Sequence, residues 1–426
     1  MDMKEDFLHY IWKYRLFTAP LLTEAGEVVE VLSPGIHNHN AGPDFSDARL
    51  RIGSTVWAGN VEIHINTSDW ERHGHQADPM YESVVLHVVY HHDRPGHRTR
   101  MPVIEIRDCI DLRVYEKYHS FLAVRNQVPC HSQIREVDEG ETVLWLERML
   151  IERIESRSGQ IAGFLELNNN DWEGAFYMML ARSFGFSLNA LPFEMLARSL
   201  PYRILARHAG NLMQCEALIF GQAGLLSHNL TDSWAQQIFS EYSFLRKKYD
   251  LVPIAAHLWK FLRLRPANFP HIRLAQFASF MSLTGKPLSE ALRCQSTHEL
   301  LHFFDVSASE YWNTRFKFDR PNGNHPKHMG KSSSMNLIIN AVLPFMFVYG
   351  RETANDALCN RALNLFSEIP GESNTVTRQW QAAGLNTSTA FHTQALITLK
   401  TEYCNSYRCL DCRIGTILLR TNSQKG

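Results

Sequence analysis

The repeat of apolar residues changes once along this chain, and that change limits the folds open to it. Up to residue 106, apolar residues come in short β-rich runs at 28–32, 48–52, 55–65, 84–90 and 103–106, punctuated by Gly, Pro, Asn and Asp. One helical pattern precedes them, with Leu8, Ile11, Trp12 and Leu16 at helical spacing. From about Glu139 the period is 3.6: Val143, Leu146, Leu150 and Ile154 share a face. Similar patterns cover 172–184, 192–206, 255–264, 272–283 and 335–348. The expected fold is therefore α+β: a mixed-sheet domain over 1–126 followed by a large all-α domain over 135–426. The segment from Gln127 to Ser132 is the expected boundary.

The sheet part reads helix, three strands, a helical connection over 68–83, and two strands. Charge divides at the same place. Residues 1–120 hold 12 basic and 18 acidic residues, and the remainder holds 31 and 26. A formal net charge of -1 excludes a uniformly basic nucleic-acid coat and an acidic tail protein. The acidic start lacks the basic and apolar regions of a signal peptide. The apolar segment 337–349 carries Asn340 and Pro344 and falls short of the roughly 20 residues of a membrane span. It is expected to be a buried helix, and the protein to be cytoplasmic with no membrane partner. Eight cysteines in 426 residues are no disulfide scaffold.

Nine of the 21 histidines lie between His37 and His97, among carboxylates. That suits a metal or acid–base site. The most informative stretch is Gly42-Pro43-Asp44-Phe45 followed by Val61-Glu62-Ile63-His64. Glu62 and His64 are two apart on an expected strand, so they share a face. Asp44 reaches that face if its strand pairs with theirs as a hairpin. Asp44 and Glu62 can then hold Mg²⁺ or Mn²⁺ through oxygen, with His64 as base, phosphate donor or third ligand. The plainer alternatives are a turn-capping Asp44 and a Glu62 paired with Arg49 or Arg51 across the sheet. Further on, Ser68 or Asp69 is expected to cap a helix, leaving His73 and His75 exposed, with a second metal or phosphate contact by these histidines as the alternative. His87 is expected to be a hydrogen-bonded core residue, and His37 and His39 to flank the site.

These motifs resemble the restriction-endonuclease-like superfamily, whose signature is Pro-Asp, a spacer, then Asp or Glu, any residue, and Lys on the next strand. The order of elements is similar too. The resemblance implies a metal-dependent nuclease with Asp44 and Glu62 as metal ligands and nucleic acid as substrate. The departure is His64 in the Lys position, which leaves a catalytically inactive binding or scaffold protein as the alternative. The superfamily often adds a Glu from the opening helix. Glu5 is the well-placed candidate and Glu30 the substitute.

Near the end, Cys404, Cys409 and Cys412 form Cys-x4-Cys-x2-Cys, which suits a structural Zn²⁺ knuckle, with ordinary buried thiols as the plainer alternative. His392 and Cys359 are candidates for a fourth zinc ligand. An iron–sulfur cluster would need Cys359 or Cys130 as its fourth thiolate. Gly330-Lys331-Ser332 fails as a phosphate loop because the required earlier Gly is His325. Arg263, Arg265 and Arg273 form a basic, Pro-broken segment, expected to be solvated loop rather than a phosphate track.

Over nearly its whole length the chain resembles the bacterial family labelled domain of unknown function 2851. The resemblance rests on Phe7-Leu8-His9-Tyr10-Ile11-Trp12-Lys13, the Asp44 and Glu62 motifs, Ser68-Asp69-Trp70, Leu86-His87-Val88-Val89 and Tyr403-Cys404 with Arg408-Cys409-Leu410. It implies no established activity.

Overall fold

The computed structural model describes residues 3–38, 40–95, 101–125 and 127–420. His39 lies outside them. The chain divides into two compact units, and the division is not linear. The first holds residues 1–145, 379–385 and 399–426, and the second 146–378 and 386–398. This corrects the expected boundary: the cysteine segment belongs with the sheet, not with the helical domain. Contacts within the first unit explain it. Lys117 donates to the Leu418 carbonyl, Tyr407 donates to that of Val124, and Arg413 pairs with Glu141.

In the first unit, α1 (Glu5–Tyr14) opens the described chain with Glu5 and Asp6 in its first turn, where the helix dipole favours acids. It buries Phe7, Leu8, Tyr10, Ile11 and Trp12. Arg15 ends it in the left-handed region. Seven strands follow: β1 (Leu21–Leu22), β2 (Val28–Ser33), β3 (Ile36–His37), β4 (Phe45–Ile52), β5 (Thr55–Asn66), β6 (Val84–His91) and β7 (Val103–Glu105). Their order is β1-β2-β4-β5-β6-β7, with β3 also on β4. Pairing is antiparallel from β1 to β5 and parallel from β5 to β7. A parallel step needs a long crossover. Residues 67–83 supply it, with α2 (Asp69–Arg72) and short 3-10 turns at His75–Ala77 and Pro79–Tyr81. The expected cap is absent: Ser68 bonds Asp93 instead, and Asp69 accepts from the Asn66 amide.

Strand β5 is half-exposed where it pairs only in the hairpin and buried on both faces from Val61 to His64. Val61 and Ile63 fill one face, leaving Glu62 and His64 on the other. The first unit also contains α3 (Leu112–Ala123), whose Tyr118 stacks on Phe7.

The chain passes into the second unit within α4 (Glu139–Leu167). There, α5 (Trp172–Phe184) and α8 (Leu212–Gln222) pack on α10 (Pro270–Leu283), which is buried on nearly every side, with α6 (Ala190–Ser199) against α5 and α9 (Ser233–Tyr249) against α8. Two expected helices differ. The 192–206 pattern breaks at Pro201 into α6 and α7 (Tyr202–Ala206), because Pro lacks the amide to continue the ladder. The 255–264 pattern gives one 3-10 turn and leaves Leu262 82% exposed. Arg273 is buried and donates to Asn268, Gln276 and Ser333, so it tracks no phosphate. Lys331–Glu352 is one helix long and apolar enough to cross a membrane, and 67% of its apolar window is buried within the protein. It contains a π-helical turn at Ile338–Val342, just before Pro344.

Glu216 on α8 is fully buried and accepts from Ser309, Trp234 and Trp312. Burial raises its pKa to about 7, against the opposing pull of those donors. A folded pKa above the unfolded one favours the fold below ordinary carboxylate pH and loses that contribution as pH rises to about 7. Glu216→Gln should flatten this decline in melting temperature between pH 5 and 8. Glu216→Ala should cost about 2–4 kcal/mol by orphaning the indole donors. Thermal unfolding across that pH range checks both.

Candidate metal centre

The site forms where four pieces of the first unit meet on one face of β5. Strand β4 begins with Asp44 just before it, and Phe45 pairs with Val61, which sets Asp44 beside Glu62. The two acids are tied through each other's strands. The Asp44 amide donates to Glu62 Oε2 at 3.1 Å, and the Ile63 amide donates to Asp44 Oδ2 at 2.9 Å. Helix α1 packs on β5 and presents Glu5 and His9, one turn apart. His9 Nε2 lies 3.3 Å from Asp44 Oδ2, and Glu5 accepts from the Ile65 amide.

The crossover contributes His73 and His75. One ring nitrogen from each of His64, His73 and His75 lies within 4.8 Å of the others, the one such trio of His, Cys, Asp or Glu among the described residues. His64 Nε2 is 3.2 Å from His73 Nδ1 and 3.3 Å from Glu62 Oε1, and His75 Nε2 is 3.2 Å from the same oxygen. His64 Nδ1 meets His87 Nε2 at 2.9 Å. His87 is opposite Glu62 in the β5–β6 register, so its ring falls on the same face. The buried Nε2 atoms of His9 and His75 are close to carboxylate oxygens yet out of line for a hydrogen bond. Nitrogens and oxygens facing one gap without a shared proton are what a cation joins.

Electrostatics points the same way. Burial, then the Asp44 charge, then Glu5, push Glu62 up to about 9. Burial likewise raises Glu5. Burial, reinforced by His87, His75, His73 and His9, pushes His64 down to about 2, so its imidazole is neutral and free to ligate. His87 falls to about 4 and His75 also falls, each mainly through burial. Too many acids and too many neutral imidazoles without a positive partner is a charge deficit that a divalent ion removes.

Beside the trio is a cavity of about 250 Å³ lined by Trp70, His75, Tyr81 and His87. Tyr81 stacks on His75 at 3.8 Å between centroids.

The ion pairs of Asp44 and Glu62 among the described residues are with histidines. Arg51 pairs instead with Glu30, which is exposed and not part of the site. His37 stacks on Phe45 and meets His9 edge-on, flanking the site. Cys404, Cys409 and Cys412 are each buried in the first unit, and among the described residues they do not form a trio spaced like that of the histidines.

Residues 5–375 match the family described as protein of unknown function (DUF2851). The chain belongs to this family. No curated protein and no solved structure matches it. The matched part contains Glu5, Asp44, Glu62 and the five histidines around them, His9, His64, His73, His75 and His87, whereas Cys404 to Cys412 follow it.

Sequence reasoning singled out Asp44, Glu62, His64 and Glu5, gave His73 and His75 a metal or phosphate contact only as the alternative to exposure, and did not mark His9. His73 is exposed as expected, and His75 only half-buried, yet both reach the trio. The signal was the length of the β5–β6 connection: a parallel crossover must return over the sheet, and these histidines lie on it. His87 is a core histidine as expected, but its hydrogen-bond partner is His64 itself. His9 carried no signal except its one-turn spacing from Glu5.

Proposed function

We propose that the protein is a divalent-metal-dependent hydrolase of phosphodiester bonds in nucleic acid. The observation that carries this reading is the convergence of Asp44, Glu62 and Glu5 with three imidazoles on one face of β5. The helix, meander and crossover that deliver them follow the restriction-endonuclease-like order of elements, which supports that finer fold assignment. Glu62, His64, His73 and His75 would hold the ion, and Asp44 would stand beside it. Three nitrogen donors favour Mn²⁺ over Mg²⁺, which prefers all-oxygen shells. A bound ion would polarise a phosphoryl oxygen and acidify water. His87 orients His64 through its other ring nitrogen, as supporting partners of metal-bound histidines do. Trp70 and Tyr81 offer aromatic faces on which a base can stack. All eight cysteines are free thiols, which supports a reducing, cytoplasmic setting.

One observation favours a second reading, a nuclease-like scaffold that binds without cleaving. The imidazole in the Lys position is neutral and supplies no fixed positive charge to a phosphate. Purified protein incubated with single- and double-stranded DNA and RNA, with Mn²⁺ or with chelator, tests the proposal. Mn²⁺-dependent cleavage supports the hydrolase. Mn²⁺ binding by calorimetry without cleavage supports the scaffold, and no Mn²⁺ binding sinks both.

A further inference from the structure

We propose that the second unit holds a binding pocket for the dianionic phosphate of a small organic phosphomonoester, gripped by Arg157 and Arg182. This pocket is separate from the Glu62 site and does not rest on its reading.

Three helical pieces of that unit build it. Helix α4 brings Arg157, α5 brings Arg182 and Ser183, and the helix Lys331–Leu337 with its π-helical turn brings Asn336 and Asn340. The last two pieces pack on α5. With Phe186 and Ser187, just beyond α5, they line an open cavity of about 410 Å³, within the roughly 300–1,000 Å³ of small-ligand pockets. Among the described residues, no acid lines it. Asn340 is engaged in holding the wall. Its Nδ2 donates to the Asn336 carbonyl at 3.1 Å, and its Oδ1 accepts from Arg153 at 3.4 Å. Asn340 lies within the π-helical turn, a distortion frequent at functional sites.

The charges at this cavity are not balanced. Arg157 is half-buried, yet among the described residues its side chain has neither a hydrogen bond nor an ion pair. A guanidinium drawn out of water without a counter-ion is costly. Burial, then the charge of Arg182, lowers its pKa, so the charge that acts on it is a second cation. Arg182 and Arg198 share a single carboxylate, that of Glu194. Those three groups keep one positive charge, and Arg157 adds another. Two such charges match a phosphomonoester, which carries nearly two negative charges at neutral pH, better than a phosphodiester or a carboxylate. Guanidinium forks also fit phosphate oxygens in pairs. The Ser183 and Ser187 hydroxyls and the Asn336 side-chain amide make no hydrogen bond among the described residues, and they supply neutral donors for the remaining oxygens.

Phe186 gives the cavity an aromatic wall. Its φ of +49° is left-handed, a strained conformation that a bulky residue keeps only where its surroundings enforce it. The Arg273 guanidinium lies 4.5 Å from the centroid of its ring, and among the described residues Arg273 bonds neutral groups alone. This cation does not line the cavity but adds to the positive field there. A phosphate group fills a small part of the space. The rest, beside the Phe186 ring, takes an organic group such as a nucleoside.

The test titrates adenosine monophosphate, adenosine and inorganic phosphate into the full chain by calorimetry. Chelator and a Glu62→Gln background keep the first site from contributing. Adenosine monophosphate should bind about tenfold or more tighter than either of the other two. Arg157→Met should weaken that binding about tenfold or more, and Arg157→Lys should restore only part of it, since an ammonium lacks the planar fork. Arg148→Ala, on the same helix away from the cavity, should leave it unchanged. No binding of adenosine monophosphate, or full binding by Arg157→Met, overturns the pocket. Equal affinity for adenosine overturns phosphate recognition, and equal affinity for inorganic phosphate overturns the organic part of the ligand. If Arg157→Met fails to fold, Ser187→Asp at the exposed rim decides. Its negative charge should weaken binding about tenfold or more, and unchanged binding overturns the site.

Discussion

Asp44→Ala and Glu62→Ala should each lower Mn²⁺-dependent cleavage by about 10³-fold or more, roughly 4 kcal/mol of transition-state stabilisation. Both carboxylates sit on the same gap, and neither has an arginine or lysine partner among the described residues to share a purely structural role. Removing Glu62 also strips the oxygen that faces both His64 and His75. His87→Ala should act more weakly, about 10–100-fold, because it touches only the far nitrogen of His64. Single-turnover cleavage at saturating Mn²⁺, with circular dichroism as the folding control, gives the comparison. Equal rates for Asp44→Ala and the parent protein would eliminate the hydrolase assignment.

Glu62→Gln should stabilise the metal-free protein while abolishing its response to Mn²⁺. Glu62 is held at about 9 by burial and by Asp44 and Glu5, far above an unfolded carboxylate. Its favourable contribution is complete below about pH 4.5 and drains away as pH rises towards 9. At pH 8 the neutral amide avoids that loss, a gain on the order of 2 kcal/mol or about 3–5 °C. His64 has the opposite sign. Its folded value near 2 lies below the unfolded one, so stability falls as pH drops below about 6.5, where the unfolded ring takes up a proton. The metal-free parent should therefore be most stable in a window between these limbs, and the Gln variant should lose the alkaline limb. Binding of Mn²⁺ requires Glu62 to shed its proton, so apparent affinity in the parent should rise with pH up to about 9. Scanning calorimetry from pH 5 to 9, with and without Mn²⁺, measures both effects. A Gln variant that melts below the parent at pH 8 would show that Glu62 is ionised and structurally paired.

The elements of the sheet were legible because each strand has its own local pattern. The β5 alternation put Glu62 and His64 on one side, and Pro43-Asp44 marked the turn before β4. Helix α1 was readable from its apolar stripe and its acidic first turn. One failure had another origin. The 255–264 segment has helical spacing, but its groups are bonded elsewhere: Lys260 donates to and accepts from the Asn189 side chain, and Trp259 donates its ring N–H to the Ala223 carbonyl. Tertiary partners overrode the local helical pattern.

Sequence alone determined which residues share a strand face and which can start a turn, because those depend on periods of 2 and 3.6 and on the backbone limits of Pro and Gly. Tertiary structure decided what comes from a distance. It laid the crossover histidines over β5, set His87 opposite Glu62, and carried Tyr407 back to Val124. The reason is that spatial neighbours 9 or 283 residues apart are chosen by strand order and packing, and no short-range pattern encodes that choice.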